Sequence, residues 1–164
     1  MQSVVIRDAT PSDFGAICAL NLAEVQHTSQ MDVERLSDLH SIASYHKVAC
    51  VDGALVAFIL AMRHDAPYKN ENFEWFLRRF STYIYVDRIV VSPEARGLRI
   101  GSLLYDDLFD YARSTGVPMI TCEYNISPPN EPSRLFHDKY GFREQGSQWL
   151  AGGTKRVSLQ AAET

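Results

Sequence analysis

The segment 83–124 constrains the fold of this chain more than any other. It opens on Tyr83-Ile84-Tyr85-Val86-Asp87-Arg88-Ile89-Val90-Val91, a run rich in β-branched and aromatic residues that Ser92-Pro93 stops. A loop over 94–99 leads into Ile100, Leu103, Leu104, Leu108, Tyr111 and Ala112 at helical spacing, and Gly116-Val117-Pro118 ends that helix. A second β-forming run over 119–124 follows. Strand, helix and strand in this order make a βαβ crossover, so the two strands are expected to be parallel and the crossover right-handed.

The rest of the chain supplies further strands and helices around that unit. Residues 4–7 read as a first strand. Thr10-Pro11-Ser12-Asp13 starts a helix, with threonine as N-cap and proline in the first turn, and Phe14, Ile17, Cys18, Leu22 and Val25 form its apolar stripe. Asn21 falls on the same stripe. A second helix is expected over 32–44 through Val33, Leu36, Leu39 and Ile42. Two strand-like runs flank Asp52-Gly53, a strong hairpin signal. Beyond 124, Pro128-Pro129 forces a break, a short helix is expected over 131–140, and 142–149 with 155–160 read as a closing strand pair. The expected fold is α/β (α+β), a mixed sheet of about six or seven strands with helices on both faces, in one domain over 1–164.

Composition narrows the function classes. The chain is 46% apolar and 22% charged, ordinary for a globular protein and unlike a disordered one. A net charge of −4 gives no basic footprint for nucleic acid or an anionic membrane. Cys18, Cys50 and Cys122 are odd in number and widely spaced, which points away from a disulfide framework or a metal site. The N-terminus lacks a signal-peptide pattern, and no run approaches the ~18 apolar residues of a membrane span, so a cytoplasmic location is expected.

The chemistry sits at the turn of the βαβ unit. There Ile89-Val90-Val91 ends the strand, and Arg96-Gly97-Leu98-Arg99-Ile100-Gly101-Ser102 runs into the helix. Loop amides and the positive end of a helix dipole suit a phosphate group, and glycines let a ligand approach the backbone. The pattern contains neither Gly-Lys-Ser/Thr nor G-x-G-x-x-G, so spacing alone leaves a choice between a phosphate site and a structural turn.

This segment resembles the acyl-CoA motif of the GNAT superfamily, Q/R-x-x-G-x-G/A, through Arg96, Gly97 and Gly101, with Arg99 where the first consensus glycine usually stands. The substitution is expected to be tolerated if that residue needs only ordinary helical dihedrals. Asn130, Phe136-His137 and Tyr140-Gly141-Phe142 resemble the family's second signature. The resemblance implies an N-acyltransferase that moves acetyl from acetyl-CoA to an amine without an acyl-enzyme. It implies that the strands over 83–91 and 119–125 splay around the pantetheine arm. Backbone groups of Ile89, Val90 and Val91 would pair with that arm, the loop Arg96, Gly97, Leu98, Arg99, Ile100, Gly101 and Ser102 would hold the pyrophosphate, and Asn130 would touch the pantetheine.

The resemblance also suggests catalytic roles. Glu123 lies on the strand opposite the motif, where the family often places its base, and a carboxylate on an apolar strand is costly unless paired or used. A structural hydrogen bond is the alternative. His137 aligns with the position of the family's usual thiolate-protonating tyrosine, with Tyr85 and Tyr140 as other donors, and the alternative for His137 is a surface helix histidine facing solvent or packing on CoA. Acceptor contacts are sought in Asn21, Trp75 and Tyr85, the last two within an aromatic run over 68–85 that equally suits a core, with an ordered helix or lid over 72–80. The expected partners are acetyl-CoA and an amine, without metal, nucleic acid or membrane, and homodimerisation stays open. The competing functions are a non-catalytic acyl-CoA-binding or regulatory module and an acyltransferase acting on a protein partner.

Overall fold

The computed structural model describes residues 3–24 and 28–164. Its strands are β1 (Val4–Asp8), β2 (Tyr45–Val51), β3 (Ala54–Arg63), β4 (Ile84–Val91), β5 (Met119–Ser127), β6 (Arg143–Leu150) and β7 (Lys155–Glu163). Its helices are α1 (Phe14–Ala23), α2 (Val33–Ile42), α3 (Glu71–Leu77), α4 (Ile100–Ser114) and α5 (Glu131–Lys139). The strands hydrogen-bond in the order β1-β2-β3-β4-β5-β7-β6, a mixed seven-stranded sheet. As the crossover demands, β4 and β5 run parallel. Their pairing is confined to Ile84 with Ile120 and Tyr85 with Thr121. On its other side β5 pairs antiparallel with β7 from Met119–Glu163 to Ser127–Arg156.

The chain divides into two compact units, one comprising the residues up to Met62 together with 86–111, the other comprising 63–85 and 112–164. In the first, Asp52 and Gly53 turn β2 into β3 with φ of 50° and 86°, the left-handed pair that a two-residue hairpin requires. Thr10 donates its N–H to the Asp13 carboxylate at 2.8 Å, and the Arg7 guanidinium closes on both oxygens of that carboxylate, also at 2.8 Å. This capping arrangement holds a 3-10 turn, Pro11–Asp13, at the head of α1. Phe14 and Ile17 of α1, Leu36 and Leu39 of α2, Phe58 and Leu60 of β3, and Leu104 and Leu108 of α4 are buried. The apolar stripes are shorter than the sequence suggests, because Leu22 is 60% exposed and Val33 50% exposed. Val25 lies outside the described residues. In the last turn of α1 the buried position belongs to Asn21, whose amide is tied down by hydrogen bonds rather than by apolar packing.

The second unit is built on aromatic rings. Asn70 caps α3 with its Oδ1, accepting the N–H groups of Asn72 and Phe73 at 3.0 and 3.1 Å. Phe73 and Phe76 then face Tyr83 and Tyr85, with centroids 5.7 Å apart for Phe73–Tyr85 and 6.1 Å for Phe76–Tyr83. Such offset and edge-on pairs stabilise beyond their buried area. The ordered helix expected over 72–80 is therefore present, beginning at Glu71 and ending at Leu77.

Candidate active site

Side-chain alternation along β5 places Thr121, Glu123 and Asn125 on one face. The pairing of Tyr85 with Thr121 brings the Tyr85 ring to that face, one step along from Glu123. Its hydroxyl donates to the Glu123 carboxylate, 2.7 Å from Oε1 and 2.9 Å from Oε2. Asn72, in the first turn of α3, donates its Nδ2 to the same Oε1 at 2.8 Å. Asn72 Oδ1 in turn accepts Nε2 of Gln148, on β6, at 2.8 Å. Tyr85 and Asn72 are buried while Glu123 is half-buried, and the two buried side chains hold the carboxylate from the protein side. A carboxylate fixed this way can accept a proton from a group brought to it.

His137 lies in α5 with its ring buried against Tyr124, Phe136 and Phe142. Its Nδ1 sits 2.7 Å from the Ser133 carbonyl, which can only accept, so Nδ1 carries the proton and the neutral ring keeps Nε2 as an acceptor. Burial pushes its pKa down, with only partial compensation from the Ser133 carbonyl. A neutral imidazole in this tautomer is poorly suited to donate from Nε2 at neutral pH, contrary to the acid role expected from the sequence. The alternative of a solvent-facing helix histidine fails as well, because only 4% of the residue is exposed. Tyr140 ends α5 and its ring stacks edge-on to Phe136. Asn130 caps the same helix, its Oδ1 accepting Ser133 N–H at 3.3 Å.

Two residues expected at the acceptor belong elsewhere. Asn21 is fully buried, donates to the Ser29 carbonyl at 2.9 Å and accepts from Arg88 at 3.3 Å. Arg88 also reaches the Ser29 carbonyl and hydroxyl at 3.0 Å each, and its Nε lies 2.7 Å from the Asp87 carboxylate. Both groups of the Asn21 amide are engaged in this network, which leaves nothing to address a substrate. Trp75 is core: its ring lies against Gly146 on one side and carries the Arg79 guanidinium 3.7 Å from its centroid. Of the residues proposed for the acceptor, Tyr85 alone joins Glu123.

In the first unit, the 3-10 turn Pro93–Ala95 leads from β4 to the glycine loop. Gly97 has φ 91° and Arg99 φ 57°, and α4 begins at Ile100. Arg99 therefore occupies the left-handed region and not the ordinary helical dihedrals on which its tolerance was expected to depend. The loop keeps the conformation that glycine suits, and the arginine bears the strain. Leu103 N–H bonds to Arg99 O at 3.0 Å, while the amides of Ile100 and Gly101 head the helix, where no preceding turn supplies acceptors. Arg96 and Arg99 are exposed, and Ile100 is buried. Among the described residues no group of three or more His, Cys, Asp or Glu could hold a metal, and no helix is long and apolar enough to cross a membrane.

Sequence reasoning missed Asn72, Gln148 and Arg88. Asn72 was legible only as a polar residue at a helix start, and nothing near Gln148 marked it.

Comparison with known proteins gives a consistent result. A family model described as "Acetyltransferase (GNAT) family" matches residues 12–142. Phosphinothricin N-acetyltransferase of Streptomyces viridochromogenes is 26% identical over 163 residues, covering 91% of this chain and 79% of that protein. Among solved structures, Ard1 from Thermoplasma volcanium superposes with a TM-score of 0.80 at 18% identity, covering 98% of this chain and 97% of that one. Arabidopsis thaliana Naa50, in complex with the bisubstrate analogue CoA-Ac-MVNAL, superposes with a TM-score of 0.74 at 17% identity over 99% of each chain. At those identities the structures share the fold.

Proposed function

Since the chain belongs to the GNAT acetyltransferase family, we propose that it moves acetyl from acetyl-CoA directly to the amine of a small molecule, an amino acid or a peptide, with Glu123 as the base. The observation that carries this reading is the half-buried Glu123 carboxylate, gripped by Tyr85 and Asn72. A module that only bound acyl-CoA would not need a base, and would leave this carboxylate a purely structural role.

The loop residues fit the diphosphate of CoA. Arg96 and Arg99 offer two exposed guanidinium groups, and the first amides of α4 add the positive end of a helix dipole. At Gly97 the space that a Cβ would enter is open, with no atom within 4 Å beyond its chain neighbours, so an oxyanion can approach the backbone. Gly101 and Ser102 would complete the cradle. Ile89, Val90 and Val91 would offer backbone groups to the pantetheine arm, and the Asn130 side chain would flank it.

A lysine-like amine titrates near ~10.4 and reaches the enzyme mostly protonated at neutral pH. Glu123 takes one proton from it, directly or through water. The neutral nitrogen then attacks the thioester carbonyl, a C–N bond forms, the C–S bond breaks, and the sulfur leaves with its electron pair. The nitrogen gives its surplus proton to solvent as the amide forms. The leaving thiol has a pKa of about 8.5, so the thiolate leaves readily and takes its proton from solvent. His137 serves in this scheme as the residue that packs α5.

Acetyl-CoA is expected to raise the melting temperature, and Gly101→Asp, which adds a side chain and a negative charge at the phosphates, is expected to abolish that rise. Free thiol should be released when acetyl-CoA is supplied with an accepted amine from a panel of phosphinothricin, amino acids and short peptides. A folded protein that neither binds acetyl-CoA nor acetylates any of these amines would overturn the proposal.

A further inference from the structure

We propose that Asn72 and Gln148 form a positioning relay for Glu123, which rests on the reading of Glu123 as the base. The carboxylate sets the polarity of the relay. An ionised carboxylate only accepts, so Asn72 must present Nδ2 to Glu123 Oε1, 2.8 Å away, and turn Oδ1 outward. Gln148 then donates Nε2 to that Oδ1 at 2.8 Å, which holds the Asn72 amide in the one orientation useful to Glu123. Reversing the Asn72 amide would set oxygen against oxygen at Glu123 and nitrogen against nitrogen at Gln148.

The backbone on either side of the relay is fixed. Asn72 is 5% exposed, and its backbone N–H is bound by the Asn70 cap at 3.0 Å, so the backbone from which its amide reaches the carboxylate is anchored in the first turn of α3. Gln148 lies opposite Val157 on β7, and Leu159 of β7 lies opposite Glu123 on β5. The sheet therefore sets the spacing between base and glutamine, and α3 closes the loop between them. With Tyr85 bridging both oxygens, the carboxylate is held by two neutral donors from two different elements.

Asn72 and Gln148 thus act through Glu123. The test is a double-mutant comparison using acetyl-CoA and the best acceptor among phosphinothricin, amino acids and short peptides. Asn72→Leu is expected to lower kcat about 10- to 100-fold, the size of a slight misplacement of a catalytic group. Acetyl-CoA affinity should stay within about twofold, because the relay touches only the carboxylate. Gln148→Leu, on an edge strand where folding is least at risk, should lower kcat in the same direction but less. In a Glu123→Gln background neither change should lower the rate further, since the group they position is gone. Equal losses in both backgrounds, or full rate in both single variants, would overturn the relay. Full rate in Glu123→Gln alone would instead overturn the base assignment on which the relay rests, as would a failure to acetylate every acceptor.

Discussion

At Gly146 the requirement is room. A Cβ there would lie 2.5 Å from Cζ2 of Trp75, closer than non-bonded carbons approach. Gly146→Ala is expected to cost about 1–3 kcal/mol by overpacking. Thermal unfolding should show a fall in Tm, and an unchanged Tm would mean that the ring shifts at no cost. Trp75 itself shows why the acceptor side was hard to read in the sequence. Its aromatic neighbours over 68–85 are visible along the chain, but the surface that buries it belongs to β6, far away in sequence. At Arg99 the requirement is conformational, since φ of 57° costs a side chain with a Cβ about 1–2 kcal/mol. Part of that is returned by the greater unfolded-state freedom of glycine, so Arg99→Gly should raise stability by only about 0.5–1 kcal/mol. If the guanidinium also touches a CoA phosphate, the same change should weaken acetyl-CoA binding and flatten its salt dependence. Stability rising while affinity stays constant would confine Arg99 to the backbone role.

The elements were the most legible level, because caps, turns and periodicity are local. Thr10-Pro11, Asp52-Gly53 and Gly116-Val117-Pro118 each mark a boundary within a residue or two of the observed one. The insertion of β7 between β5 and β6 was not legible, since strand order depends on contacts that no local pattern encodes. The packing of α2 against β2 also hides a pH response. His40 and His46 face each other through their Nδ1 atoms at 2.8 Å, and the buried His46 has its pKa pushed down to about 4, first by burial and then by His40, with Asp13 opposing. A histidine of ordinary pKa, about 6.5, takes up protons in the unfolded chain before His46 does in the folded one. The unfolded state therefore binds more protons between these two values, and stability falls as pH falls through that window. His46 should make the protein about 2 kcal/mol less stable at pH 5 than at pH 7.5, and the downward shift of His137 adds a slope of the same sign. Urea unfolding at the two pH values should show this difference, and His46→Phe should remove most of it. An equal difference in that variant would assign the slope to other groups.

For the whole molecule, the family and the mixed sheet were legible because two motifs and the βαβ order lie far apart along the chain yet agree. The members of the site were less so. Glu123 stood out as a charge on an apolar strand, whereas Asn72 of α3 and Tyr85 of β4 meet it only in the folded chain, and Gln148 of β6 reaches it through Asn72. The most direct measurement is kcat against pH for the protein and for Glu123→Gln, with acetyl-CoA saturating and one accepted amine. The expected result at neutral pH is a loss of about 10²–10⁴-fold in the variant, the usual worth of a general base. Above about pH 9 the loss should shrink as the amine, titrating near ~10.4, deprotonates unaided. Acetyl-CoA affinity should change less than about twofold, since the substitution removes a proton acceptor and no phosphate contact. A Glu123→Gln variant with full activity at neutral pH would contradict the assignment and leave Glu123 as a structural hydrogen-bond partner of Tyr85 and Asn72.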